Sequence, residues 1–269
     1  MVKIDLITGF LGSGKTTFIK KYAKYLIDSG KNIGILENDY GAVNVDMMLL
    51  QDLMGDQCEL EMVSGGCDKD CHRRRFKTKL IAMGMCGYDR VIVEPSGLFD
   101  VDEFFDALRG DPLDNWYEIG NVIAIADAGL PEKMSKDAEY LLGSEAADAG
   151  LVFVSKLDES SKEQSDTILP HINRAMEAIS CTRKLSEEDV MKTKWGELTK
   201  DDWNRILTCG YHTESWQKRD VEDDKSFSSL SFMNLPLTKE QIVNAATQIV
   251  GDPSCGHVHR IKGFLETPD

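Results

Sequence analysis

The sequence predicts an α/β fold, a doubly wound and mostly parallel sheet, on three observations. Short apolar runs alternate with amphipathic stretches through the first two thirds of the chain. A glycine-rich segment joins the first such run to the first amphipathic stretch, and polar tetrapeptides stand directly after two later runs. Alternation of this kind requires crossover connections, which lay helices on both faces of a parallel sheet and place ligands at the strand ends.

The first strand is expected at residues 3–8. It runs into Gly-Phe-Leu-Gly-Ser-Gly-Lys-Thr at residues 9–16, which fits the spacing Gly, four residues, Gly-Lys-Ser/Thr of a phosphate-binding P-loop. Gly9, Gly12 and Gly14 allow backbone conformations closed to other residues, so that successive N–H groups turn inward as an anion nest at a helix N-terminus. Lys15 supplies a cation for the outer phosphates, and the Thr16 hydroxyl, with Thr17 beside it, is placed for a Mg²⁺ ion bound to those phosphates. The first helix follows at residues 15–28 and stops at Gly30.

Further strands are expected at residues 33–37, 59–63, 90–94, 122–127 and 151–155, with helices at 45–54, 72–85, 101–109 and 137–149 between them. A helix at 163–176 closes this pattern, so residues 1–180 read as the nucleotide-binding domain. Residues 181–225 are polar but carry Trp195, Trp203 and Trp216, with one helix at 199–207. Indoles are costly to leave in water, so this segment is expected to pack on the first domain. Residues 226–269 read as a small, incomplete α+β unit, with strands at 227–233 and 257–265 around a helix at 238–250.

Hydrophobic residues make up 42% of the 269-residue chain and charged residues 29%, which is ordinary for a globular protein with a sizeable core. No apolar run approaches the roughly 20 residues that span a bilayer, and the N-terminus enters a strand with no signal-peptide pattern. A cytoplasmic protein without membrane partners is expected. The net charge of −15 argues against a broad nucleic-acid surface, and the basic cluster at residues 72–79 is too short to reverse that. Five of the seven cysteines, Cys58, Cys86, Cys181, Cys209 and Cys255, read as buried small hydrophobes.

Two strand-end motifs narrow the nucleotide. Glu94-Pro95-Ser96-Gly97 has the composition of a turn, but it also offers a carboxylate to the Mg²⁺ shell and a Gly97 N–H to a γ-phosphate. In Ser155-Lys156-Leu157-Asp158 the Asp158 carboxylate can accept from both the ring N–H and the exocyclic amine of guanine, and the Lys156 stem can cover the base. GTP is favoured over ATP.

Together with Asn38-Asp39-Tyr40-Gly41 and Gly65-Gly66-Cys67, these motifs resemble the metallochaperone GTPase family of CobW-like, UreG-like and HypB-like proteins. The resemblance covers about residues 1–180, and Arg260-Ile261-Lys262-Gly263-Phe264 is similar to an element of the CobW-type C-terminal domain. It implies a P-loop fold, slow hydrolysis of GTP to GDP, and use of nucleotide state to deliver a metal or cobalamin-type cofactor to a client metalloprotein or cofactor-dependent enzyme. It implies Mg²⁺ contacts from Asp39, with Asp46 a second acidic position, a catalytic role for Glu94 with Lys15 and Asp39, and guanine reading by Asp158. No arginine finger stands in these motifs, so activation by a partner, by the second subunit of a homodimer or by a metal is expected.

Cys67 falls on the first cysteine of the family's metal motif, where relatives read Gly-Cys-x-Cys-Cys and this chain reads Gly66-Cys67-Asp68-Lys69-Asp70-Cys71-His72. Two thiolates and an imidazole suit Zn²⁺, Co²⁺ or Ni²⁺, and three protein ligands leave a transferable fourth position. A chance Cys-x₃-Cys-His sequence is the competing reading, because structural zinc motifs bring two ligand pairs. At the level of function, a nucleotide-gated scaffold that assembles a client without metal transfer stands beside the delivery reading. A small-molecule P-loop kinase is disfavoured by the guanine-reading motif.

Overall fold

The computed structural model describes residues 1–39, 45–64, 69–95, 101–219, 230, 232, 236–256, 258 and 261. Seven strands form one sheet in the order β3-β2-β4-β1-β5-β6-β7: β1 (Val2–Thr8), β2 (Ile33–Asp39), β3 (Cys58–Ser64), β4 (Arg90–Pro95), β5 (Tyr117–Asp127), β6 (Leu151–Ser155) and β7 (Val190–Met191). Every pairing is parallel. The order reverses at β1, so the segments leaving β1 and β4 open into the crevice where such sheets take their ligands.

Helices α1 (Lys15–Asp28), α2 (Val45–Leu50), α3 (Lys69–Gly84), α4 (Val101–Leu108), α5 (Leu113–Trp116), α6 (Lys136–Ala147), α7 (Lys162–Ala178) and α8 (Lys200–Leu207) accompany this sheet. Phe18, Ile19 and Tyr22 of α1 are fully buried against Ile7, Ile33, Ile35, Ile92, Ile123 and Phe153, which alternate along five strands. That spacing is the period of two expected of one sheet face. Trp195 stacks on Phe153 with ring centroids 4.6 Å apart, and Trp203 on Tyr25 at 4.5 Å, so the polar segment after α7 closes this core with its indoles.

Several expected elements are redrawn. β5 begins five residues earlier than the apolar run, because Glu118, Ile119 and the residues around Gly120 already pair with β1. The second helix ends at Leu50 and passes into a 3₁₀ turn, Gln51–Leu53. The third helix starts at Lys69, three residues upstream of the expected 72, with Asp70 in its first turn where the helix dipole favours a negative charge. The two-residue β7 carries too little pattern to be read in sequence. Cys86 and Cys255 are exposed, contrary to their reading as core residues; each stands at a chain turn, whereas Cys58 and Cys181 are buried.

The chain divides into two compact units, Met1–Asp220 and Val221–Asp269. In the second, α9 (Lys239–Gly251) opens on a capping box between Thr238 and Gln241. The strands expected at 227–233 and 257–265 lie for the most part outside the described residues. Among the described residues no helix is long and apolar enough to cross a membrane.

Candidate functional site

The glycine-rich loop has the shape its composition demands. Gly9 adopts φ 140°, and a Cβ there would meet the Ile125 carbonyl oxygen at 2.3 Å, so only glycine lets the loop press against β5. Gly12 at φ 75° and Gly14 at φ 97° complete the turn into α1. Helices α6, α7, α8 and α9 all begin with a Ser or Thr side chain accepting from their first turn, but α1 begins at Gly14 with no side-chain cap. A helix N-terminus without a side-chain cap is the kind that can turn its first-turn N–H groups to an external acceptor such as phosphate. Lys15 is buried and its Nζ donates to the Gly9 carbonyl at 2.6 Å, folding over the loop. Thr17 is exposed beside it.

Beneath the loop, oxygen ligands converge. The Thr16 hydroxyl donates to Glu94 Oε1 at 3.0 Å and lies 3.3 Å from Asp46 Oδ1 of α2. All three residues are buried. Glu37 of β2 stands in register with Glu94 of β4 and is buried with it. Burial, reinforced by the neighbouring Glu37 carboxylate, holds the Glu94 carboxyl well above the usual carboxylate range, while Lys15 pulls the other way. Hard oxygen donors crowded at the foot of an anion nest suit Mg²⁺, and the positive charge would offset their mutual repulsion. Glu37 is a residue that sequence reading missed; its signal was a glutamate inside an apolar strand. Asp39 ends β2, and its side chain, like Gly97 altogether, lies outside the described residues.

The segment Ser155–Asp158 is organised around the same loop. Ser155, at the end of β6, donates its hydroxyl to the Ser13 carbonyl at 2.5 Å and also lies 3.2 Å from the Ala126 carbonyl, so its hydroxyl braces the phosphate loop. Lys156 follows at φ 55°, and its Nζ pairs with Asp127 Oδ2 at 2.6 Å. Asp127 Oδ1 in turn accepts from the Gly129 N–H at 2.8 Å. Asp158 is two-thirds exposed and pairs at 2.8 Å with Lys194, a residue from the segment that closes the core. Neither Asp127 nor Lys194 was legible as a site residue, because each becomes one only through a contact with a distant strand end.

Of the candidate transition-metal residues, Cys71 and His72 fall among the described residues. Cys67 lies outside the described residues. Cys71 and His72 belong to the first turn of α3 instead of a loop, and adjacent helical residues diverge. His72 is buried with Nε2 on the Asn38 side-chain oxygen at the end of β2, whereas half-buried Cys71 lines a groove along β3. Among the described residues no group of three His, Cys, Asp or Glu side chains is arranged to hold a metal.

Residues 3–183 match the domain described as CobW/HypB/UreG, nucleotide-binding domain. The chain is 28% identical over 171 residues to the zinc chaperone YeiR of Escherichia coli, covering 62% of this chain and 50% of that protein. It is 23% identical over 273 residues to zinc-regulated GTPase metalloprotein activator 1 of Schizosaccharomyces pombe, covering 97% of this chain and 58% of that one. The chain thus spans little more than half the length of these relatives. The crystal structure of the Zn(II)-bound YjiA GTPase from E. coli is 18% identical with a TM-score of 0.43, covering 94% of this chain and 78% of that one. The match over residues 3–183 takes in the glycine-rich loop, the buried carboxylates and the end of β6 alike, and by it the chain belongs to the CobW/HypB/UreG family.

Proposed function

We propose that this protein is a Mg²⁺-dependent GTPase that couples its nucleotide state to the handling of a transition metal for a client protein. The observation that carries the reading is the convergence of Thr16, Asp46 and Glu94 under an uncapped α1. Thr16 and Glu94, with Asp39 and Asp46, would hold Mg²⁺ or its water shell, and the ion would neutralise charge on the β- and γ-phosphates. Lys15 leaves the Gly9 carbonyl for the outer phosphates, the amides of Gly12 and Gly14 and of the first turn of α1 surround them, and Glu94 orders the attacking water. Asp158 reads guanine once it is released from Lys194.

The family and its zinc-chaperone relatives favour Zn²⁺ over Co²⁺ and Ni²⁺ as the metal, with Cys67 and Cys71 as its thiolates. A metalloprotein is the natural client. The engagement of His72 Nε2 by Asn38 is the observation that favours the scaffold reading, since that nitrogen would have to leave Asn38 to ligate a metal.

One titration series tests these readings. Zn²⁺ affinity is measured in nucleotide-free, GDP-bound and GTP-analogue-bound protein, with Mg²⁺ present. Delivery requires a several-fold difference between states and the same reciprocal factor on nucleotide affinity. State-independent affinity that survives Cys67→Ser with Cys71→Ser would leave the scaffold reading; equal binding of ATP and GTP would remove the guanine assignment.

A further inference from the structure

Strands β5 and β6 finish side by side at the end of the sheet where the glycine-rich loop lies, with Asp127 and Ser155 in register. Three contacts tie these ends together. The Ala128 N–H donates to the Ser155 carbonyl at 3.1 Å, the Ser155 hydroxyl lies 3.2 Å from the Ala126 carbonyl, and Lys156 Nζ donates to Asp127 Oδ2 at 2.6 Å. The third differs from the others in fixing the far end of a long side chain.

Lys156 takes φ 55°, and among the described residues the only other non-glycine with positive φ is Ser180. A lysine seldom adopts this conformation, because its Cβ crowds the backbone there. Strain of this kind persists where the surroundings impose it, and it gathers at ligand sites. Here the Glu159 N–H closes a turn on the Lys156 carbonyl at 3.0 Å, so Lys156 and Asp158 share one tight turn. That turn and Ser155, whose hydroxyl reaches the Ser13 carbonyl at 2.5 Å, fix the backbone end of the lysine. Asp127 fixes its ammonium, and is itself held, since Oδ1 accepts from the Gly129 N–H at 2.8 Å and its carbonyl from the Leu130 N–H at 3.2 Å. The four-carbon stem, on a side chain about one-third exposed, is thus clamped at both ends across the tips of β5 and β6. A lysine stem offers apolar surface while its head stays in polar company. Left unclamped, it would have to surrender much rotamer freedom before it could cover a ligand.

We propose that Asp127 is a positioning residue for nucleotide binding: by holding the Lys156 ammonium, it prearranges the lysine stem as the surface on which a purine ring lies. This rests on the nucleotide reading given above and adds to it a residue that touches neither base nor phosphate. The stem presents contact area and no hydrogen-bond pattern. Its placement therefore serves guanine and adenine alike and leaves the choice between them to Asp158.

The test measures displacement of methylanthraniloyl-GDP from the full chain by GTP, ATP and inorganic tripolyphosphate, all with Mg²⁺. Asp127→Asn keeps an acceptor for the Gly129 N–H and removes the charge that holds Lys156. Expected is a loss of about tenfold for GTP and ATP alike, with tripolyphosphate within about twofold of the parent, because only the base lies on the stem. Lys156→Ala should reproduce that loss. Asp127→Asn/Lys156→Met should regain most of it, since an uncharged stem gains nothing by turning to water. An equal loss for tripolyphosphate would mean a disturbed glycine-rich loop and would overturn the inference. So would an unaltered GTP affinity, a loss confined to GTP, or a double variant no better than Asp127→Asn. Tight GTP binding with an idle Asp127 refutes the positioning role alone, whereas a parent protein that holds tripolyphosphate as tightly as GTP refutes the nucleotide reading and this role with it.

Discussion

Glu94 sits where the interior penalises its charge, beside a second carboxylate and under a threonine hydroxyl. A cation and an ordered water are what such a site is suited to hold. Glu94→Gln keeps the shape and the acceptor to Thr16 but removes the charge. It is expected to lower single-turnover GTP hydrolysis by roughly a hundredfold while changing GTP affinity far less. Weak binding with an unchanged chemical step would contradict that role. At the end of β6, Asp158 pairs with Lys194 across an exposed 2.8 Å contact, and on the proposed reading Lys194 would compete with guanine for it. Surface pairs are weak, so Lys194→Ala should tighten GTP binding only about threefold, and Asp158→Asn should erase the preference over ATP. Competition between labelled GTP and ATP measures both, and a Lys194→Ala protein that binds GTP worse would show that the lysine serves the bound state.

Strands β1 and β4 and helix α1 are joined by a buried polar knot. Asp5 is fully buried in β1, where the pairing with β5 shifts register. It accepts from Arg90 at 2.6 Å, from the Tyr22 hydroxyl at 2.7 Å and from the Asn121 N–H at 2.8 Å. Arg90 also reaches the Tyr22 hydroxyl at 2.7 Å. Gly120 is required beside it, since a Cβ there would stand 2.4 Å from the Asp5 carboxylate. A buried charge that loses its partner is strongly destabilising, so Arg90→Met should cost about 3–5 kcal/mol in urea unfolding. Asp5→Asn added to that variant should recover part of the loss. If the double variant were no better than the single, packing of the arginine stem would be the cause.

Over the whole domain, two buried carboxyls tie stability to pH. Burial pushes Glu145 of α6 up to about 8 against an opposing influence of Lys15, and pushes Asp148 up to about 7 although the Glu214 N–H donates to it. Both exceed their values in an unfolded chain, near 4. Between about pH 4 and 8 these two groups hold protons in the folded state that the unfolded chain has released, so their contribution to stability is greatest at the acid end of that window and falls as pH rises through it. Among the described residues neither Glu145 oxygen has a hydrogen-bond partner. Glu145→Met should flatten the decline and stabilise the protein by about 1–3 kcal/mol at pH 9 while doing little at pH 5. Thermal unfolding across pH checks this; a variant with the same slope as the parent would place the titration elsewhere.

Local patterns made much of this molecule readable in advance. The spacing of Gly9, Gly12, Gly14, Lys15 and Thr16 needs only short-range stereochemistry, and the apolar runs of β1, β2, β4 and β6 are buried strands whose composition is itself the signal. The placement of Glu94 and Ser155 at strand ends followed from the same runs. Tertiary structure alone decided which distant groups meet: Glu37 beside Glu94, Lys194 on Asp158, Arg90 on Asp5, and His72 on Asn38. Ser155 shows the same division, since its position was legible but the turn of its hydroxyl toward Ser13 was not. Sequence period fixes which face a residue presents, because a strand repeats every two residues and a helix every 3.6. Strand order and crossover decide what that face meets, and those are set by the burial of the whole sheet, which no single window of residues contains.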